Sequence, residues 1–221
     1  MGNQTIVEEI KCKNIDVEYF SKRIIKDESL RNELVRQLLT NKDIMVYYHC
    51  FYVISRASEI RADLFYTYWH DFELLLSHKN SYHRDIGATI IANLVCADKN
   101  HYFYNIIDDY LMHINNDEKF MTAQCFVRNL AKIAKSTKDL WPKIVGILLA
   151  VDKNSSYPEK QRELLKSSIL EVFDVVYEEC DLKNEINSFI QAALTSSSPK
   201  TRKKAIELVK KYHLLKEEKE I

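Results

Sequence analysis

The sequence predicts an all-α fold of stacked helix pairs, and three observations carry that expectation. A turn followed by an apolar-periodic helix recurs at Met45, Arg84, Phe120, Arg162 and Arg202, spaced by 39, 36, 42 and 40 residues. Between those points apolar residues fall at i, i+3 and i+4, the period of one helix face, and do not alternate as in a strand. The 221 residues include only three glycines and three prolines, little material for the turns of a sheet. A period of about 40 with two helical segments per unit implies units that cannot bury their apolar sides alone and therefore stack.

A chain of this length buries roughly 70% of its unfolded surface, so neither disulfide nor metal is needed to hold it. Its 32 basic and 32 acidic side chains cancel. That balance argues against a protein built mainly to coat nucleic acid or an anionic membrane. Cys12, Cys50, Cys96, Cys125 and Cys180 are scattered and form no C-x-x-C pair, so no zinc ribbon or redox motif is signalled. Most sit among apolar helix residues as small hydrophobes, which suits a reducing compartment. The stretch from Met1 to Lys13 carries Glu8 and Glu9 and has no apolar h-region, so it is not a signal peptide. Ile6 stands where a myristoylation signal needs Ser or Thr. The apolar run from Ile44 to Ile54 is far shorter than the about 20 residues that span a bilayer. The expectation is a soluble, cytoplasmic protein with no membrane partner.

The elements follow in order. The first trusted pair is Leu30–Leu39 and Ile44–Ser58, joined by Asn41-Lys42-Asp43. In the second, Phe65, Tyr68, Phe72, Leu75 and Leu76 form the stripe of one helix over Leu64–Leu76. Its partner opens on the capping residues Asn80-Ser81 and points Gly87, Ile91, Leu94 and Val95 inward. The third pair uses Phe103, Ile107, Tyr110, Leu111 and Ile114, then Asn116-Asp117 and a helix with Phe120, Ala123, Val127, Leu130 and Ala134. In the fourth, Leu140, Ile144, Ile147, Leu148 and Val151 face the core. A link over Lys153–Tyr157 then leads to Pro158 at the head of a helix with Leu165, Ile169, Val172, Phe173 and Val176. The fifth has Leu182, Ile186, Phe189, Ile190 and Ala193, a turn over Thr195–Pro199, and a last helix with Ala205, Leu208, Val209 and Tyr212. Residues 1–27 are expected to cap the stack with one or two shorter helices, residues 28–215 to form the repeats, and residues 216–221 to fray. No Gly-, Ser- or Pro-rich linker divides the chain, so one domain is expected. The helix crowded with Tyr47, Tyr48, Phe51, Tyr52 and Val53 is apolar almost all round and is expected to be sandwiched between neighbours.

The stretch Ser198-Pro199-Lys200-Thr201-Arg202-Lys203-Lys204-Ala205 resembles the second-helix pattern of HEAT repeats: a polar turn, proline, arginine, and a small residue three further on. Asn80 to Gly87, with Arg84 and Gly87, is similar. Met45 and Phe120 replace the arginine in two other copies, and Leu165 replaces the small residue in a third. The resemblance covers most of the chain and implies a right-handed α-α superhelix of about five helix pairs with an N-terminal helical cap. The middle also resembles small uncharacterised bacterial HEAT-type proteins, through Asn80-Ser81-Tyr82, Ile106-Ile107-Asp108-Asp109-Tyr110-Leu111, Asp117-Glu118-Lys119 with Thr122-Ala123, and Lys132-Ile133-Ala134-Lys135.

Chemistry is sparse. His78 and His83 lie five apart across a turn, His101 and His113 near opposite ends of one helix, and no H-E-x-x-H or Cys/His quartet occurs. No G-x-S-x-G presents a serine, and Gly2, Gly87 and Gly146 cannot form a phosphate loop. The acids Asp108-Asp109, Glu178-Glu179 and Asp181 point apart on their helices and read as solvated faces. Lys200, Arg202, Lys203, Lys204, Lys210 and Lys211 form a basic cluster broken only by Glu207, open to phosphates or an acidic partner. Tyr66, Tyr68, Trp69, His70, Tyr82 and His83 form an aromatic cluster suited to packing or to an interface.

The expected function is a non-enzymatic scaffold with no cofactor and no metal, binding a protein or peptide. In HEAT-type stacks the second helices line the concave side. The resemblance therefore implies His49, Asp85, Thr89, Asn93, Gln124, Arg128, Asn129, Lys132, Lys166, Glu171, Lys203 and Lys210 as groove residues. The alternative is a DNA-binding repair protein, since size, repeat architecture, aromatic content and the basic final helix resemble alkylpurine glycosylases built on HEAT-like helices. That family's Trp-Trp-Asp stretch is absent, and the neutral charge lacks a basic excess.

Overall fold

A computed structural model describes residues 5–214; the first four residues of the expected cap and the expected frayed tail, 216–221, lie outside them. Among the described residues every regular element is helical, and no helix is long and apolar enough to cross a membrane. The chain divides into two compact units, Met1–Asn100 and His101–Ile221. The boundary falls in the turn between two helices, where the sequence carries no linker signal.

The first unit holds α1 (Ile6–Ile10), α2 (Val17–Lys26), α3 (Glu28–Thr40), α4 (Ile44–Ile60), α5 (Ala62–Phe65), α6 (Trp69–Leu76) and α7 (Ser81–Leu94). Their starts are written in short polar residues. Thr5 and Glu8 form a capping box on α1. Asp16, Asp27, Asp43 and Asn80 each turn a side-chain oxygen onto an otherwise orphaned N–H of α2, α3, α4 and α7. Helix α3 pairs with α4 and α6 with α7, while α4 lies between α2 and α7. Side chains that cap or bond backbone stitch these layers. Ser21 Oγ donates to Val53 O at 3.1 Å, and Asn93 Nδ2 donates to Ser55 O at 3.1 Å and Ser58 Oγ at 3.0 Å.

One expectation changes here. The stripe over Leu64–Leu76 is not one helix: a 3-10 turn over Tyr66–Tyr68 separates α5 from α6. The run Phe65-Tyr66-Thr67-Tyr68-Trp69 is aromatic and β-branched, with poor helix propensity. The tighter turn lets Phe65, Trp69 and Phe72 all reach the core. It also swings Tyr66 outward, so that its hydroxyl donates to Asp98 Oδ1 at 2.6 Å.

The second unit holds α8 (Tyr102–Asn116), α9 (Phe120–Ala134), α10 (Trp141–Leu149), α11 (Val151–Asn154), α12 (Glu159–Val176), α13 (Lys183–Ala193) and α14 (Pro199–Lys211). Helix α9 packs on α8 and on α12, and α12 packs in turn on α14, which pairs with α13. The fourth-pair link is partly helical, as α11, and Pro158 is the N-cap of α12. Trp141 Nε1 closes the α9–α10 turn by donating to Ala134 O at 2.8 Å. Tyr68, Phe120, Ile147, Leu182, Phe189 and Tyr212, expected inside, are half-buried.

Two glycines in helices show how tightly each region packs. A Cβ built on Gly87 would lie 2.8 Å from Leu75 Cβ and 3.0 Å from Phe72 O, so α6 and α7 meet at backbone distance. Gly87→Ala should lower stability by about 1–3 kcal/mol through overpacking. A Cβ on Gly146 of α10 meets nothing within 4 Å. There the same change should raise stability by about 0.5–1 kcal/mol through helix propensity. Thermal unfolding of both variants reads the contrast, and a shared sign would refute the close α6–α7 approach.

Candidate interaction surface

Helix α4 carries more apolar residues than one core can absorb. Its inner face buries Val46, Tyr47, Cys50, Val53, Ile54 and Ala57. Met45, Tyr48 and Tyr52, at i, i+3 and i+7, then fall on the opposite side. Ile44 is 61% exposed, Met45 42%, Tyr52 48%, and Tyr82 at the head of α7 57%. The expected sandwiching of α4 therefore holds for its inner face and fails for this stripe.

The rings form one platform. Tyr48 stacks on Tyr47 at 5.0 Å between centroids, meets Tyr82 edge-on at 5.8 Å and lies 6.1 Å from Tyr52, which in turn touches Phe51 at 5.4 Å. Behind them Tyr47 reaches His83 at 5.1 Å, and His83 stacks on His78 at 4.3 Å. Burial, and then the neighbouring Tyr47, Tyr82, Tyr52 and Asp85, push the Tyr48 phenol up to about 12. It stays protonated at neutral pH. The platform thus combines flat apolar area with a hydroxyl that can donate or accept.

Of the residues implied by the HEAT resemblance, three are corrected. His49 is buried, its Nδ1 2.6 Å from Ile10 O. Asn93 is buried in its bonds to α4, and Asn129 is buried on α9 beside Cys125. His49 and Asn93 link helices and Asn129 bonds within its own helix, roles that counting outward from a turn does not separate from a groove role. Asp85 and Thr89 are half-buried on α7, where the Thr89 hydroxyl returns to Asp85 O. On α9, Gln124 and Lys132 are half-buried and Arg128 is exposed. Lys166 is held by Asp152 and Glu163, with Glu171 half-buried further along α12. Lys203 and Lys210 are exposed on α14.

The structure sorts the other candidates too. In the aromatic cluster, Trp69 is core, Tyr66 bonds Asp98, Tyr68 bonds Asn32 and His70 lies against Glu73, so only Tyr82 and His83 join the platform. Asp108 pairs with Lys143 and Glu179 with Lys138. Among the described residues no group of three or more His, Cys, Asp or Glu is placed to hold a metal ion. The sequence pattern did not mark Met45 and Tyr52 as surface, with Tyr48 half-buried between them. The available signal was the surplus itself, an apolar stripe on the side of α4 opposite its already sufficient inner face.

The histidine stack beneath the platform has a consequence for pH. Burial, and then the adjacent His78, hold the His83 imidazole below its ordinary value. The unfolded chain therefore binds a proton there more readily than the folded one. The His83 contribution to stability is present above about pH 6.5 and is lost as pH falls below it. His83→Phe, which keeps a flat ring, should flatten the dependence of the urea midpoint between about pH 7 and pH 5. An unchanged slope would show that His83 is not the group responsible.

Comparison with protein-family models, with curated proteins and with solved structures finds no match.

Proposed function

We propose that this chain is a non-enzymatic scaffold of HEAT-like helix pairs that holds a protein or peptide partner on the solvent-facing side of its second helices. The observation that carries this reading is the stripe on α4 in which Met45 and Tyr52 are exposed with the half-buried Tyr48 between them, continued by the exposed Tyr82 on α7. Aromatic side chains of this kind dominate binding energy because they bury much area while freezing few torsions. Methionine adds an adaptable apolar contact beside them. Asp85 of α7 acts on Tyr48 and so adds a polar group beside the stripe. A partner segment presenting aliphatic or proline side chains fits such a surface, with the tyrosine hydroxyls meeting its backbone carbonyls.

The test is affinity capture from cells with the intact chain and with a Tyr52→Ala/Tyr82→Ala variant of matched Tm. Two lost anchors should cost the partner complex about 2 kcal/mol or more, a loss of roughly thirtyfold in affinity. Partners retained at full strength by the variant would remove the platform from the reading. Binding to duplex DNA that is steep in salt and indifferent to both tyrosines would favour the DNA-repair alternative.

A further inference from the structure

Helix α14 carries six cations, Lys200, Arg202, Lys203, Lys204, Lys210 and Lys211, against one carboxylate, Glu207. Three have structural work. Lys204 and Lys211 reach Asp174 of α12 at 3.1 and 2.7 Å, where the Tyr212 hydroxyl also donates at 2.8 Å. Burial pushes the Asp174 carboxyl up, but the hydrogen bonds from Lys211, Tyr212 and Lys204 outweigh it and hold it below the usual range. Arg202 donates to Ser196 O at 2.5 Å in the preceding turn. Lys200, Lys203 and Lys210 have no such task and are exposed.

The outer side of the helix is not simply a solvated lysine face. Pro199, Arg202, Lys203, Ile206, Glu207 and Lys210 form one open stripe along the helix. Ile206 sits in it 45% exposed. Lys203 and Lys210 are two helical turns apart, about 10.5 Å, and the isoleucine lies between them. A polyphosphate backbone would gain from the lysines but not from Ile206. An acidic polypeptide gains from both: carboxylates for the lysines and an apolar side chain for Ile206, while Glu207 is paired with Lys204 at 3.7 Å.

We propose that the outer face of α14 is a second docking site, which takes an acidic segment of a protein partner with one apolar side chain between its carboxylates. Its charge complementarity sets it apart from the uncharged platform on α4 and α7, and the two sites stand or fall independently.

The test is fluorescence anisotropy of the intact chain with a short labelled helical peptide bearing a leucine flanked by glutamates on one face. The intact chain should bind it, and Lys203→Glu/Lys210→Glu should weaken binding at least about fivefold, the scale of two rim ion pairs. Because charge reversal weakens any polyanion, Ile206→Ser is the deciding variant. It keeps the charge and should weaken the peptide about fivefold through lost apolar contact. Tyr52→Ala should leave this binding unchanged. No binding of the peptide, equal affinity for a serine version of it, indifference to Ile206→Ser, or tighter binding of a DNA oligonucleotide would each overturn the proposal.

Discussion

The interaction on which these helix pairs depend is an arginine that reaches back across its own turn. A helix that ends inside a packed layer leaves carbonyls without partners, and burying them unpaired is costly. Arg31, Arg84, Arg162 and Arg202 each stand at the fourth residue of their helix, α3, α7, α12 and α14. Each donates Nη1 backwards: to Ile24 O at 2.8 Å, His78 O at 2.8 Å, Tyr157 O at 2.6 Å and Ser196 O at 2.5 Å. Hydrogen bonds of a charged donor contribute about 1.5–3 kcal/mol, and here one side chain both satisfies a turn and fixes the angle at which the next helix leaves it. Only arginine has the length and the fork to do this while its stem packs along the helix.

That geometry also sharpens the repeat. Counting from the fourth residue of each second helix, the equivalent positions are Tyr47, Arg84, Ala123, Arg162 and Arg202, spaced by 37, 39, 39 and 40 residues. The sequence pattern had aligned Met45 and Phe120 with the arginines, two and three residues out of register, which is why its period wandered. Where arginine is missing, other groups close the turn. Ahead of α9, Asp117 accepts from Lys119 N and pairs with His113, while the Tyr157 hydroxyl donates to Asp117 O at 2.7 Å. Ahead of α4, Asn41 takes Asp43 N and passes its amide to Gln37. Bonds between successive layers keep the same interval: Asn93 to Ser55, Tyr157 to Asp117 and Thr201 to Glu163. One period is thus written three times, in apolar positions, in turn closure and in layer-to-layer bonds.

The helices themselves were therefore legible, because apolar periodicity and capping residues act over a few neighbours and do not await tertiary context. Asn80, Asp43 and Ser198 mark helix starts in both sequence and structure. The break over Tyr66–Tyr68 was not legible, since a stripe spaced at three and four suits an α-helix and a helix with a 3-10 turn alike. Side-chain roles were legible only in part. His49, Asn93 and Asn129 are polar residues at positions where outward and sideways differ by less than one helical step. Whether such a residue faces solvent or a neighbouring helix depends on how that neighbour is rotated, which no local pattern contains.

What separates the platform on α4 from an ordinary leftover of the core is its chemistry. An uncovered stripe of leucines would invite non-specific collapse, whereas tyrosines present a hydroxyl to water at the edge of each ring. The rings at Tyr48, Tyr52 and Tyr82 are further held by one another and by Tyr47 beneath them, so little torsional freedom is left to lose when something lands on them. Helix α14 reaches a similar end from the opposite direction: Asp174 and Ser196 engage the cations that face inward, and the lysines left over are those that point away from the protein. In both helices the outward face is what remains after the fold has taken what it needs, so stability constrains it little and binding can shape it.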